Sequence, residues 1–290
     1  MRWFSKAWII LLFLFPTLLI YTGYMIFPVA VAFYYSLTNF SGIGAAEFTG
    51  IRNYLLLFND PFFAFAIKNT FIVLITTLVI LLPSSFLLAH MLNRRLRVGQ
   101  LMKALNFSPN VIAPIIVGLI WLLILDPYIG FINIFLKRIG LGLLAGEWIG
   151  GRTLTPFSVS IVFTWRILGF VATIFLAGMK MIPLEILDSS SIDGANSRQR
   201  MFYITIPMMK ETFIITVVLI ITGSFRLFEE VYMLTGGGPI HRSEVLVSYM
   251  YYTTFISSEY GRGMGIAVIC FVLSLLFSIV YIRLTYRRPD

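Results

Sequence analysis

Six long apolar runs constrain this chain more than any other feature of its sequence. An α-helix needs about 20 mostly apolar residues to cross a bilayer, and all the runs except the short fifth approach that length. They cover residues 7–32, 69–92, 104–125, 156–178, 212–225 and 263–282. Hydrophobic residues make up 59% of the 290 and charged residues only 12%, which is more apolar surface than one soluble core buries. The sequence therefore predicts an all-α membrane protein with six transmembrane helices, in a single domain over residues 1–290.

The lysines and arginines between the runs predict an orientation. If the N-terminus is inside, the inner segments carry more basic and fewer acidic residues than the outer segments. The inner basic residues are Arg2, Lys6, Arg94, Arg95, Arg97, Lys103, Lys180, Arg198, Arg200, Lys210, Arg283, Arg287 and Arg288. Six spans then place both termini in the cytoplasm and the chain in the plasma membrane. The net charge of +9 is on this interpretation a topology signal, and nucleic-acid binding has no separate support.

The first run follows a basic segment, residues 1–6, as the apolar part of a signal peptide does. It is too long for a cleaved signal, and no small-residue cleavage site follows it. We expect a retained first helix.

The longest inner segment lies between the fourth and fifth runs. Pro183 opens a predicted helix, with Glu185 and Asp188 near the N-terminal end where carboxylates are favourable. Gly194 indicates a turn, a second short helix is predicted after it, and Pro207 begins the return to the membrane. A helix–glycine–helix hairpin suits docking in the cleft of a partner protein. A solvated connector between two spans is the alternative.

This hairpin, residues 183–207, resembles the cytoplasmic EAA loop of permease subunits in binding-protein-dependent ABC importers. Residues 192–195 (Ile-Asp-Gly-Ala) and 204–207 (Ile-Thr-Ile-Pro) match that loop in sequence and spacing. The Glu-Ala-Ala of the family stands here as Asp-Ser-Ser at 188–190, with an acidic side chain one methylene shorter. The resemblance implies that the ATPase-coupling residues are Glu185, Asp188, Ser189, Ser190, Asp193, Gly194, Ala195 and Pro207.

Further segments resemble the carbohydrate-uptake permeases, closest to the six-helix subunits of oligosaccharide and glycerol-phosphate importers. They are residues 48–54 with 69–70, 121–127 with 130–133, and 234–239 with 260–261, so the resemblance covers essentially the whole chain. It implies a heterodimer with a second, related permease. It also implies two ATP-binding subunits and an extracellular or periplasmic solute-binding protein as partners.

Arg166 lies near the middle of the fourth run, between Trp165 and Phe170. A charge at mid-bilayer costs about 2.5–3.5 kcal/mol on insertion scales, so it should face protein or water. It is either a hydrogen-bond donor lining a substrate pathway, where Trp165 offers a flat face to a sugar ring, or a structural partner for a carboxylate on another helix. In the resembled permeases this helix contributes to the sugar site, and the candidate pathway residues here are Trp165, Arg166 and Phe170.

The end of the fifth run, residues 225–230 (Phe-Arg-Leu-Phe-Glu-Glu), mixes aromatic and charged side chains, and the candidate pathway residues in it are Phe225, Arg226 and Glu229. Such a mixture suits a sugar, which has apolar faces and a rim of hydroxyl groups. By the resemblance, this region also lines the substrate pathway. Anchoring at the membrane interface is the alternative.

No catalytic chemistry is predicted. The glycine-rich segment 236–239 lacks the Gly-Lys-Ser/Thr ending of a phosphate loop, and Glu185 and Asp188 have no catalytic companions. The two histidines, His90 and His241, are far apart and have no cysteine nearby, so we expect neither a metal site nor a cofactor.

The sequence therefore favours a permease subunit that lets separate ATPase subunits drive carbohydrate import. Three alternatives stay open. They are a glycerol-phosphate importer subunit of the same family, a secondary transporter driven by an ion gradient, and a membrane scaffold with no transport.

Overall fold

The computed structural model describes residues 7–94, 99–151 and 153–285, and its regular elements are helices. Within those ranges, strand-like pairing is limited to an isolated bridge between Thr38 and Phe48. The all-α prediction is confirmed. Several of the basic residues behind the predicted orientation lie outside the described residues, namely Arg2, Lys6, Arg95, Arg97, Arg287 and Arg288.

The α-helices are numbered in chain order. They are α1 (Ala7–Tyr21), α2 (Phe27–Ser36), α3 (Arg52–Phe58), α4 (Pro61–Asn93), α5 (Gly99–Val111), α6 (Pro114–Leu125), α7 (Phe131–Arg138), α8 (Thr155–Lys180), α9 (Leu184–Ile192), α10 (Ser197–Arg200), α11 (Ile206–Met208), α12 (Lys210–Phe225), α13 (Glu229–Thr235), α14 (Leu246–Tyr251) and α15 (Tyr260–Thr285). A π-helical turn, Thr22–Ile26, joins α1 to α2, and another, Met201–Thr205, joins α10 to α11.

Within the described part of the chain, four helical segments are long and apolar enough to cross a membrane: Ile10–Ser36, Pro61–Asn93, Thr155–Lys180 and Tyr260–Thr285. Two further pairs of helices pass the same test together, and each pair is sharply bent. If each bent pair is one span, the described residues contain up to six spans, as the sequence predicts.

Two of the six spans are bent, a feature that the sequence analysis did not address. The third span is broken between α5 and α6 by 96°, because Pro114 begins α6 and the preceding Ala113 is extended, with φ −55° and ψ 133°. The fifth is broken by 67° between Ser197–Met208 and Lys210–Phe225. Met209 lies at that break with φ −91° and ψ 11°.

The contacts of the chain divide it into two compact units. One unit comprises Met1–Pro61 with Tyr249–Val272, and the other Phe62–Ser248 with Leu273–Asp290. In the first unit, the buried amide of Asn53 donates hydrogen bonds to the carbonyl oxygens of Ser36 and Thr38, at 2.8 and 2.7 Å. The single-domain organisation of residues 1–290 stays a prediction.

The second unit contains a buried brace between α4 and the segment that follows α13. The side-chain amide of Asn69 on α4 donates to the carbonyl oxygens of Arg242 and Glu244, at 2.7 and 2.9 Å. The neighbouring Thr70 hydroxyl accepts from the Leu246 amide at 3.0 Å. Burial raises the pKa of the Glu244 carboxyl, while a hydrogen bond from Ser248 lowers it. These hydrogen bonds join side chains of α4 to the backbone of residues 242–246, so the conformation of that segment depends on α4.

Replacing Asn69 with alanine should lower the free energy of unfolding by about 2 kcal/mol, because one buried and one partly buried carbonyl oxygen lose their donors. Thermal unfolding of the purified protein in detergent, with amide hydrogen exchange over residues 236–246, measures the effect. Asn59→Ala is the matched control, since the Asn59 amide donates to Leu55 at an exposed position; this variant should change stability by less than about 0.5 kcal/mol. Equal losses in the two variants would contradict the brace.

Candidate functional site

The second unit contains a cavity of about 460 Å³, the size range of small-molecule sites. It lies where α5, α6, α8, α12 and α13 meet. Its lining residues are Asn110, Pro114, Phe163, Arg166, Ile167, Phe170, Val171, Leu219, Ile220, Thr222, Gly223, Arg226, Leu227, Glu229 and Glu230. Most of these side chains are apolar, and a small set of polar and charged groups converges among them.

Helix α8 supplies the wall that carries Arg166. Pro156 in its first turn favours helix initiation, and the helix ends before Pro183, which is extended. Arg166, Ile167 and Phe170 follow one another at spacings of one and three residues, so they share the face of α8 that lines the cavity.

Arg166 forms an ion pair with Glu230 on α13. The guanidinium Nε donates to the Glu230 Oε1 atom at 2.6 Å. The side chains of Arg166 and Glu230 are 16% and 1% exposed, so water screens the pair little. The guanidinium also lies 5.5 Å from the centre of the Phe163 ring. The structure thus places a carboxylate partner beside Arg166 and also places Arg166 on the cavity wall. That Arg166 lines a substrate pathway stays a prediction.

The other predicted pathway residues divide into two groups. Phe170, Arg226 and Glu229 line the cavity with Arg166. Trp165 does not line it, and its ring contacts Trp121 edge-on at 5.5 Å between centroids. Phe225 is also absent from the lining; it is buried and its ring contacts those of Phe71 and Phe277.

Sequence reasoning missed Asn110 and Phe163 as cavity residues, and within the segment 225–230 it selected Glu229 but not Glu230. Glu229 and Glu230 are adjacent acidic residues, and which of them faces Arg166 depends on the rotation of α13. The chain leaves helical geometry at Phe228, with φ −137° and ψ −61°, so the periodicity of α12 does not continue into α13. No signal in the sequence singles out Glu230 over Glu229.

The hairpin is present as predicted from its proline and glycine. Pro183 is the residue before α9, and Gly194 has φ +81°, a left-handed conformation that favours glycine. Asn196 and Gln199 then form a reciprocal capping box at the start of α10, with distances of 2.9 and 2.8 Å. Arg200 joins the two arms by donating to the Ser191 hydroxyl at 2.8 Å. The hairpin is therefore held by its own hydrogen bonds and by the packing of Leu187 and Met201 against a buried core cluster.

Most of the predicted coupling residues are exposed. The exposed ones are Glu185, Asp188, Ser189, Asp193, Gly194 and Pro207. Ala195 is half-buried, whereas Ser190 is buried and donates its hydroxyl hydrogen to the Leu187 carbonyl oxygen at 2.8 Å. Apolar side chains are also exposed here, with Leu184 73%, Ile192 87% and Tyr203 79% exposed.

Comparison with known proteins identifies relatives over almost the whole chain. A probable ABC transporter permease of Bacillus subtilis, YurN, is 31% identical and the match covers 94% of each chain. The permease AmyD of Thermoanaerobacterium thermosulfurigenes, named for a probable transport system for starch degradation products, is 30% identical over 96% of this chain and 94% of its own.

A crystal structure of a bacterial ABC transporter involved in importing the acidic polysaccharide alginate shares the fold. It is 21% identical with a TM-score of 0.84, covering 99% of this chain and 98% of that one. The model of one family, described as "Binding-protein-dependent transport system inner membrane component", matches residues 82–287. The family identification made from the hairpin is confirmed, and the chain belongs to the family of inner membrane components of binding-protein-dependent transport systems.

Proposed function

We propose that this chain is the permease subunit of an ATP-driven importer and forms part of the translocation pathway for an oligosaccharide. The observation that carries the proposal is the hairpin of α9 and α10, which is braced internally and exposes Leu184, Ile192 and Tyr203. Exposed apolar side chains on such a hairpin are typical of a surface that binds another protein. Membership in a family of transport-system components also favours this function over the two alternatives of an ion-coupled secondary transporter and a membrane scaffold.

The partners follow from this role. Two ATP-binding subunits hydrolyse ATP, and one of them receives the hairpin in a surface cleft. A second, related permease completes the pathway, and an extracellular or periplasmic solute-binding protein delivers the sugar. Both termini lie in the cytoplasm, which places the hairpin on the same side as the ATPase subunits. Closure of those subunits on ATP then moves the hairpin and, through it, the helices around the cavity.

The composition of the cavity wall supports an oligosaccharide as the substrate. Phe163 and Phe170 supply aromatic rings, and Arg166, Glu229 and Asn110 supply hydrogen-bonding groups, a combination suited to sugar rings with hydroxyl rims. The name of the AmyD relative points to the same class of substrate. Glycerol phosphate is the second candidate, because the exposed cation Arg226 also lines the cavity.

Replacing Ile192 with glutamate should weaken association with the ATP-binding subunits at least about tenfold, because an apolar contact is lost and a charge must be desolvated. Co-purification of tagged permease with those subunits measures it. Ile43→Glu is the matched control, since Ile43 is 91% exposed and lies outside the hairpin; it should leave association unchanged. Wild-type association of the Ile192 variant would overturn the coupling role.

Transport itself is tested with the whole complex in proteoliposomes supplied with the solute-binding protein. We expect uptake of a labelled oligosaccharide to stop when ATP is withheld and to continue when the proton gradient is collapsed. Uptake that follows the proton gradient instead would contradict the proposal.

A further inference from the structure

The charged groups lining the cavity balance one another. They are Arg166, Arg226, Glu229 and Glu230, two cations and two anions. A ligand with a net charge gains no overall attraction from such a wall, yet it gives up hydration on entering. A ligand rich in hydroxyl groups meets both donors and acceptors there.

The geometry of the Arg166–Glu230 ion pair leaves hydrogen-bonding atoms of both side chains unused. Among the described residues, the side-chain donor to Glu230 is the Nε atom of Arg166 alone, so the pair is not bidentate. The two terminal nitrogens of Arg166 form no hydrogen bond among the described residues, and neither does the second carboxylate oxygen of Glu230. Arg166 therefore keeps N–H donors for a ligand while Glu230 cancels its charge.

An acidic ligand meets this pair unfavourably. A carboxylate or phosphate beside Arg166 would also lie close to Glu230, and the repulsion is strong because both side chains of the pair are largely withdrawn from water. The remaining cation, Arg226, is exposed, and exposed Glu229 lines the same wall. An uncharged hydroxyl group has no such conflict, since it accepts from the guanidinium without carrying charge.

We propose that this cavity selects an uncharged glycan over an acidic one, because Arg166 donates into it while Glu230 neutralises the guanidinium. The inference rests on the proposed carbohydrate function and adds the charge class of the substrate. It separates this chain from an importer subunit whose cargo is acidic, including glycerol phosphate.

The test measures equilibrium binding to the purified transporter complex in lipid nanodiscs, without the solute-binding protein, which has a selectivity of its own. The probes are uncharged trisaccharides, the same trisaccharides oxidised to the carboxylate at C6, and glycerol 3-phosphate. For the trisaccharide that binds best, we expect the uncharged form to bind at least about tenfold more tightly than its acid.

Glu230→Gln is the diagnostic variant, because glutamine can still accept from Arg166 but leaves its charge uncompensated. It should reduce the preference for the uncharged form at least about tenfold. Glu229→Gln removes the same charge from an exposed position of the same wall and should reduce the preference only about threefold. Groups contributed by the partner permease are common to all three proteins and cancel in the comparison.

The outcomes are distinguishable. Equal or tighter binding of the acids, or of glycerol 3-phosphate, by the wild-type complex overturns the charge class and leaves the carbohydrate or importer function standing. An unchanged preference in a folded Glu230→Gln complex also overturns it, since the pair would not be the cause. If Glu230→Gln does not assemble, the wild-type comparison and Glu229→Gln decide. Binding of no sugar at all refutes the proposed oligosaccharide function itself, and the charge class with it.

Discussion

Replacing Glu230 with alanine should lower the free energy of unfolding by about 3 kcal/mol, because Arg166 keeps its charge and loses its counter-ion. The pair is joined at 2.6 Å and the Glu230 side chain is 1% exposed. When one partner of such a pair is removed, the other stays desolvated and no opposite charge compensates the free energy of its desolvation. The contact of Arg166 with the Phe163 ring remains and offsets only a small part of that cost.

A double-mutant cycle separates the interaction free energy between Arg166 and Glu230 from the effect of each substitution alone. Arg166→Met and Glu230→Met should each destabilise the protein by about 2–4 kcal/mol, whereas the double variant should lie within about 1 kcal/mol of wild type, since an apolar pair carries no charge to desolvate. Denaturant-induced unfolding in mixed micelles, followed by circular dichroism, gives the four free energies. A double variant as destabilised as the sum of the single variants would show that Arg166 and Glu230 do not act as a pair.

The helices could be predicted from the sequence because the signal for them is local. A run of apolar residues long enough to cross a bilayer forms a helix whatever its neighbours are, since its backbone polar groups must be satisfied within the segment. The predicted second, fourth and sixth runs lie inside Pro61–Asn93, Thr155–Lys180 and Tyr260–Thr285, differing only at the ends.

The breaks in the helices were harder to predict, because a proline residue by itself does not determine whether a helix bends. Pro114 stands at the 96° bend between α5 and α6, yet Pro83 and Pro109 lie inside α4 and α5 without ending them. In a membrane domain, neighbouring helices can satisfy the backbone group that a proline frees. Whether a proline bends a span therefore depends on packing that one span's sequence does not contain.

The candidate site shows the same limit at the level of side chains. Arg166 could be found from its charge alone, since a cation inside an apolar run must face protein or water. Its partner could not be chosen, because the non-helical residue Phe228 separates the periodicity of α12 from that of α13. For the same reason Phe225 and Glu229, predicted together, are divided in the structure between a buried aromatic cluster and the cavity wall.

Helices α8 and α5 approach each other closely at Gly169. A side-chain carbon at this position of α8 would collide with the backbone carbonyl oxygen of Asn106 on α5 and would lie 2.8 Å from the Phe107 nitrogen. Backbone atoms cannot rotate away as the end of a side chain can, so a larger residue must push α5 from α8. Small residues permit this kind of contact between helices in membranes.

Replacing Gly169 with alanine should therefore lower the free energy of unfolding by about 3 kcal/mol, at the upper end of the cost of overpacking. That loss appears although alanine in a helix is intrinsically favoured over glycine by about 1 kcal/mol. Gly223→Ala on α12 is the matched control, since its added carbon would meet only the tip of the Phe163 ring at 3.3 Å. It should be neutral or stabilising by up to about 1 kcal/mol. Melting temperatures of both variants in detergent decide the matter, and a Gly169 variant as stable as the Gly223 variant would mean that α5 and α8 are not in backbone contact there.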